Sequence, residues 1–390
     1  MQVKRSTLNL LIIRRNGDAG TLRIGVFNPV LHRIGGAEYV TTVLINVLKE
    51  QGHQVVVMSN KKIDPTRTAF FFGKSFDIDA HITPLLDLPR WIPTTKNSIV
   101  DYTNALQSYV LKLNCQILID TYTDFINPWN DITYFQERER NIFPRSAPSL
   151  SSFLHIPLFK SSLIEEKALL VVSRFLADFL EKKGVHCNVL YPPVNVSYFS
   201  YSNKRLCGSK EDIVVTFSRF SKEKKLENIP VIAKQAVKGI SFVIAGSCQT
   251  VSSYRVLQSL RELVKKLEVA DRVKLLPNIS RERVRKLLWS SKVYLHTREN
   301  EPFGITIVEA MSSGCIPIVH DSGGPREFVP EYHRYTTIEE ALMKIEKAVV
   351  EWSLEKSDRM SSIADRFSEK EFSKRFLDVL NLYIKSRFQK

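Results

Sequence analysis

Short apolar runs and stretches with apolar residues three and four apart take turns along almost the whole of this 390-residue chain. That alternation predicts strands and helices in parallel α/β layers. The first unit is sharply written. Leu22–Asn28 reads as a buried strand, His32–Gly36 as a glycine turn, and Ala37–Gln51 as a helix with Val40, Val43, Leu44, Val47 and Leu48 at helical spacing. Gly52-His53 closes that helix, and Gln54–Ser59 is the second strand. Residues 60–100 have little period and carry Pro84, Pro89 and Pro93 around Leu85, Leu86, Leu88 and Trp91. A helix near Ile99–Leu113 and a strand at Gln116–Asp120 follow, then an irregular stretch through Ser152 and a strand end at Phe153–Pro157. Helix Ser173–Lys183 and strand Asn188–Tyr191 complete the first half.

Pro192-Pro193 and the polar run Ser200–Asp212 read as a linker. A second alternating set follows, with strands Ile213–Phe217, Ser241–Ala245, Val273–Leu276, Val293–Leu295 and Ile316–Val319. Its helices lie near Ile229–Ala236, Ser253–Leu267, Arg281–Ser290, Gly304–Ser313 and Ile338–Glu351, and a last helix, about Glu371–Lys385, stands apart from the second sheet. The expected division is an extension at 1–20, domains at 21–195 and 196–370, and a terminal helical segment at 371–390. Two such halves leave a cleft between the carboxyl ends of their strands, where α/β sheets bind ligands.

Composition narrows the picture without naming a chemistry. A hydrophobic content of 44% and a charged content of 25% are ordinary for a soluble globular protein. Leu8–Ile13 and Ala168–Val172 are far short of the roughly 20 apolar residues that span a bilayer, and no signal-peptide pattern is present. Residues 1–20 are read first as a flexible basic tail, with a membrane-touching arm or a mis-set start as alternatives. Cys115, Cys187, Cys207, Cys248 and Cys315 are scattered without a CxxC, which favours a reducing cytoplasm and argues against structural zinc. None of the eight histidines forms an HExxH, so no metal site is proposed. The net charge of +15 fits a solvated basic surface or an anionic membrane surface; nucleic acid is not expected, because no recognised binding motif accompanies the charge.

Four clusters carry candidate chemistry. Glu301-Pro302-Phe303-Gly304-Ile305-Thr306-Ile307-Val308-Glu309 sets two carboxylates seven residues apart, one on a loop and one about two turns into a helix. Backbone N–H groups of Phe303, Gly304 and Ile305 between them suit an anion at a helix start. Sugar, phosphate and ribose can thus share one wall. Gly35-Gly36 after the first strand permits close approach of a phosphate or sugar, though alone it is equally an ordinary turn. Arg219 and Lys224, on the loop after strand Ile213–Phe217, could neutralise a diphosphate leaving group, or be a solvated basic loop. His155 in Phe153-Leu154-His155-Ile156-Pro157 could hydrogen-bond a sugar or acceptor, although a structural role is the commoner one for such a residue.

Together these residues resemble family 4 glycosyltransferases, retaining enzymes of the two-Rossmann-domain GT-B fold, from about residue 22 onward. The family's Glu-x7-Glu falls on Glu301 and Glu309, its Arg/Lys pair on Arg219 and Lys224, its glycine loop on Gly35-Gly36 and its cleft histidine on His155. Leu295 through Ile305, Ser322-Gly323-Gly324-Pro325, His155-Ile156-Pro157 and Tyr191-Pro192-Pro193-Val194-Asn195 are similar to the α-mannosyltransferases of lipid-linked oligosaccharide assembly, above all the dolichol-pathway α-1,2-mannosyltransferase type. Ser218 and Lys225 depart from the pattern, standing where the family often has Gly, and Pro302 replaces a commoner polar residue.

The resemblance implies a first domain for the acceptor and a second for a nucleotide-sugar, with the terminal helix returning to the first. It implies that Arg219 and Lys224 hold the diphosphate, Glu309 the ribose and Glu301 the transferred sugar. The N–H groups of Phe303 to Ile305, and of Gly36 across the cleft, would stabilise the leaving phosphate, with His155 orienting sugar or acceptor. Neither metal nor cofactor is expected. GDP-mannose is the expected donor, with a UDP-sugar as competitor because loops such as Pro277–Ser280 recognise the base through their backbone. The expected acceptor is a glycan or lipid-linked glycan at a cytoplasmic membrane face, reached by a peripheral protein whose segment Leu85–Lys96 either touches the membrane or packs as an ordinary loop. A non-catalytic glycan-binding GT-B protein is the remaining alternative.

Overall fold

The computed structural model describes residues 21–33, 35–83, 98–123, 127, 129–137, 167–200 and 210–388. In the first domain β1 (Arg23–Phe27), α1 (Gly36–Glu50), β2 (Gln54–Met58), α2 (Pro65–Phe72) and β3 (Ala80–Ile82) lead to α3 (Ser98–Lys112). Then come β4 (Ile117–Asp120), β5 (Ile132–Phe135), β6 (Ala168–Val171), α4 (Arg174–Glu181) and β7 (Asn188–Val189). All seven strands pair in parallel, in the order β3-β2-β1-β4-β5-β6-β7. Strands β1, β2, β4 and β5 are buried along nearly their whole length, as helices on both faces of a parallel sheet demand.

The second domain opens with α5 (Val196–Phe199), β8 (Glu211–Phe217), α6 (Asn228–Gln235), β9 (Ser241–Gly246), α7 (Val251–Lys266), β10 (Val273–Pro277) and α8 (Arg281–Ser290). It continues through β11 (Ser291–His296), α9 (Ile305–Ser312), β12 (Ile316–His320), β13 (Arg334–Tyr335), α10 (Ile338–Val350) and α11 (Leu354–Ala364) to α12 (Glu369–Phe388). Its six strands are also parallel, ordered β10-β9-β8-β11-β12-β13. Both sheets reverse direction about their first strand, which places a switch point, and hence a crevice, at the carboxyl ends of β1 and β8.

The differences from the sequence reading have physical reasons. The irregular stretch through Ser152 contains β5, whose Ile-Thr-Tyr-Phe is buried throughout and has no alternation to betray it. Short edge elements β3 and β13 carry too few residues to show a period. Val196–Phe199, within the stretch read as joining the halves, is helical and tied to the second domain, the Trp289 indole and the Ser313 hydroxyl both donating to Phe199 O at 2.8 and 3.1 Å. Among the described residues no helix is long and apolar enough to cross a membrane.

The chain crosses between domains twice, side by side. Val194 N–H donates to Phe367 O at 2.8 Å, and Val194 forms a parallel bridge with Ser368. From there α12 lies along the first domain. Phe372 stacks on Tyr134 with centroids 6.4 Å apart, Glu369 accepts from Tyr39 and Lys74, and the Tyr383 hydroxyl donates to Asp131 at 2.7 Å. Asp131 also takes Lys112, Arg387 and the Leu118 N–H, so one buried carboxylate joins α3, β4 and α12. Asp131→Ala would leave the Lys112 ammonium and the Leu118 N–H without this partner. It is expected to cost about 3 kcal/mol, read as a lower unfolding midpoint with α12 becoming an early site of proteolysis.

Candidate active site

The site is built around the start of α9. Gly304 adopts φ 93° and ψ 66°, a left-handed conformation, and a Cβ there would come 2.5 Å from Ile307 Cδ1. The chain therefore turns abruptly into α9, whose first N–H groups lack helical partners at the positive end of its dipole. The Phe303 ring points the other way, buried among Tyr191, Phe328 and Phe367 at centroid distances of 5.9, 5.2 and 5.2 Å. It anchors the loop to the domain crossing.

Behind this loop lies Ser322-Gly323-Gly324-Pro325. Gly324 N–H donates to Glu301 O at 2.8 Å, and a Cβ at Gly323 or Gly324 would lie 2.4 Å from Glu301 O or 2.1 Å from Pro302 O. Those glycines are where they are because two backbones touch. At the far end of α9, the buried Lys210 ammonium donates to Ser313 O, Leu288 O and Ser291 O at 2.7, 2.8 and 2.9 Å, placing a cation at the helix's negative pole.

Glu301 is buried at 8% exposure amid three basic side chains. Its Oε2 lies 2.7 Å from Lys224 Nζ, 3.0 Å from His296 Nε2 and 3.5 Å from Arg298 Nη1. Burial alone would raise its pKa, but the Lys224 charge, the His296 hydrogen bond and Arg298 outweigh it and hold the carboxyl well below its usual range. His296 itself is pushed down by burial against the pull of Glu301. Arg298 reaches on to the first domain, pairing with Glu137 at 2.8 and 3.3 Å.

Glu309, just over one turn into α9, is 2% exposed and pairs through Oε1 with Arg281 at 2.8 Å. Its Oε2 has no partner among the described residues, and burial pushes its pKa up despite the guanidinium. Between the two carboxylates lie the basic residues of the loop after β8. Arg219 is half exposed, 3.5 Å from Glu223, and reaches the cleft from the loop after β8. Lys224 ends the short 3-10 helix Lys222–Lys224, and Lys225 follows at φ 48°, in the left-handed region that favours the glycine it replaces. Gly36, first residue of α1, faces the same place from the other domain; a Cβ on it would sit 3.2 Å from Ile305 Cδ1.

Two adjoining cavities, about 140 and 270 Å³, share Gly35, Gly36, Ser218, Arg219, Ile305 and Thr306 as walls. The first extends to Glu309, Arg281, Asn278 and Ile279, the second to Glu301, Lys224, His296 and Arg298. The structure thus brings Gly35, Gly36, Arg219, Lys224, Glu301, Phe303, Gly304, Ile305 and Glu309 to one cleft, with Arg219 and Lys224 both lining the larger cavity. His155 and Leu85–Lys96 lie outside the described residues. His296, Arg298, Arg281 and Lys210 were not singled out from sequence. A cation at the very first position of a helix, as Arg281 is on α8, is unfavourable for the dipole and was the one signal that could have marked it.

Residues 200–367 match the family model described as glycosyl transferases group 1. The whole described chain has the GT-B fold. It superposes on a glycosyltransferase from Rickettsia africae with TM-score 0.71 and 18% identity, covering 94% of this chain and 99% of that one. With a sucrose-phosphate synthase from Thermosynechococcus elongatus the TM-score is 0.73 at 14% identity, over 94% and 100% of the two chains. Among curated proteins it is similar to two named GDP-Man:Man(3)GlcNAc(2)-PP-Dol alpha-1,2-mannosyltransferase. That of Dictyostelium discoideum is 31% identical over 53% of this chain and 44% of its own length. The Homo sapiens protein is 27% identical over 53% and 46%. The matched region is thus less than half of each relative. The resemblance drawn from the motifs, to glycosyltransferases and within them to the dolichol-pathway mannosyltransferases, is borne out.

Gly324→Ala is expected to cost about 1–3 kcal/mol by forcing the Glu301 loop away, seen as a lower unfolding midpoint. His296 supplies a pH test. Its lowered pKa means that the folded state resists protonation, so its contribution is complete above the ordinary histidine pKa and is lost as pH falls below it. Wild-type protein should therefore lose more stability between pH 7 and 5 than His296→Gln; equal losses would count against this reading.

Proposed function

We propose that this chain is a retaining, metal-independent glycosyltransferase that moves mannose from GDP-mannose to a lipid-linked glycan. The observation that carries the reading is the order of groups along one cleft wall: Glu309, then the α9 start with Arg219, then Glu301 with Lys224. A nucleotide-sugar has the same order of ribose, diphosphate and hexose. The names of the curated relatives supply the sugar and the class of acceptor.

Ribose hydroxyls donate to Glu309 Oε2, the oxygen left without a partner. The diphosphate lies at the N–H groups opening α9, with Arg219 and Lys224 beside it and the Gly36 N–H across the cleft. These groups offset charge on the leaving phosphate as the glycosidic bond breaks, so no cofactor is invoked. Glu301 shares Oε2 among its three basic neighbours, which leaves Oε1 for a sugar hydroxyl. Same-face attack by the acceptor, with a phosphate oxygen taking its proton, gives retention, and His155 orients the sugar or acceptor. The base lies against the turn after β10, where Asn278, at φ 55°, is locked by hydrogen bonds of 2.8 and 2.9 Å to the Cys248 backbone. A net charge of +15 favours peripheral contact with an anionic membrane at its cytoplasmic face.

Thermal unfolding with GDP, UDP and ADP tests the donor: GDP should raise the midpoint and the others less. A rise with UDP alone would transfer the reading to UDP-sugars. Glu309→Ala should reduce mannosyl transfer to a lipid-linked glycan at least about 100-fold; unchanged transfer would point to a non-catalytic protein.

A further inference from the structure

Arg281 is the least expected residue of the cleft. It occupies the first position of α8, after the Ser280 cap, where a positive side chain opposes the helix dipole. Its guanidinium is nevertheless only 11% exposed, and one of its N–H groups donates to Glu309 Oε1 at 2.8 Å. It lies over three aromatic rings, Phe199 at 4.7 Å, Tyr39 at 5.5 Å and Tyr198 at 5.8 Å. Tyr39 belongs to α1 of the first domain and passes the contact on, its hydroxyl donating to Glu369 at the start of α12. Two polar atoms in this otherwise packed spot have no partner among the described residues: Glu309 Oε2, an acceptor, and Arg281 Nε, a donor.

A surface-capping role would put the guanidinium in water, and a purely structural pair would satisfy both carboxylate oxygens. Neither describes this arrangement. We propose that Arg281 is the positioning residue of the ribose site: it fixes the Glu309 carboxylate for the ribose hydroxyls and links that carboxylate to the first domain through Tyr39. The inference rests on the nucleotide-sugar reading of the cleft and adds a second residue to its ribose end.

Fixing matters because Arg281 is the one cation paired with Glu309 among the described residues. Burial raises its pKa even with Arg281 present, and the titratable groups facing it are Arg281 on α8, Tyr294 on β11 and Tyr39 on α1. Neither tyrosine supplies positive charge. Without Arg281 burial would raise the carboxyl's pKa further, and its protonated form, which is not a full acceptor, would gain as pH falls. Ribose binding would then improve as pH rises and fail as it falls.

The test is calorimetric titration of GDP and 2′-deoxy-GDP into wild type, Arg281→Lys, Arg281→Gln, Glu309→Gln and the double variant at pH 6 and pH 8. Arg281→Gln should bind GDP at least tenfold more weakly at pH 6, with part of the loss recovered at pH 8. Arg281→Lys keeps the charge, guards against misfolding as the cause, and should recover affinity at both values. The preference for GDP over the deoxy nucleotide should shrink in Arg281→Gln, and its loss should not add to that of Glu309→Gln. If wild type binds GDP and Arg281→Gln matches it at both pH values, with the same ribose preference, the inference is overturned alone. If wild type binds none of GDP, UDP or ADP, the nucleotide-sugar reading falls with it.

Discussion

Everything in this molecule hangs on two strands of backbone passing each other once. Val194 leaves the first domain and Ser368 returns to it, hydrogen-bonded across the passage. Because the chain comes back, α12 is fastened to the first domain, and the two sheets are held with their switch points facing. A single linker would let the halves separate; two bonded crossings restrict them to rotation about that line. The aromatic group of Tyr191, Phe303, Phe328 and Phe367 packs against the crossing, and the same Phe303 is part of the Glu301 loop. Hinge and donor wall therefore share one residue.

Several of the contacts that the described residues make between domains are polar. Glu327 of the second domain accepts from Arg174 N, Phe175 N and the Tyr191 hydroxyl, satisfying the amino end of α4. Arg298 reaches Glu137, and Arg67 reaches Gln249 at 2.6 Å. Such groups can exchange partners with water or ligand at small net cost, whereas an apolar interface would lose its burial energy on opening. Two contacts between domains reach the cleft carboxylates: Arg298 lies beside Glu301, and Arg281, packed on Tyr39, beside Glu309. Occupation of either carboxylate thus bears on how the domains meet.

The fold was legible because buried parallel strands and amphipathic helices follow different periods, and the chain keeps to them in β1, α1, β2 and most of the second half. It was illegible where a strand is short or uniformly buried, as in β3 and β5, since four residues carry no period. The candidate site was legible where chemistry and backbone shape coincide in sequence. Glu301, Gly304, Glu309 and Gly323-Gly324 are bound into one turn, and the glycines are forced by backbone contact. Residues that act through space left no such trace. His296 and Arg298 stood inside a quoted motif, yet only folding shows both directed at Glu301. Arg281 and Lys210 are single cations in a chain with 56 lysines and arginines, and composition hides them.

The two ends of the donor wall solve the same problem in opposite ways. A buried carboxylate is costly unless paired. Glu301 is given three basic neighbours, so its charge is secure and one oxygen can be spared. Glu309 has one, set at the unfavourable end of α8 and held by aromatic faces that a guanidinium tolerates better than an ammonium would. Meanwhile α9 is pinned at its start by Gly304 and the Gly323-Gly324 contact and at its end by Lys210. On the donor reading proposed above this wall is prearranged, and prearranged dipoles lower a barrier without reorganising during the reaction. To the first domain this wall is joined by the Arg298–Glu137 ion pair and by Arg281 lying over the Tyr39 ring.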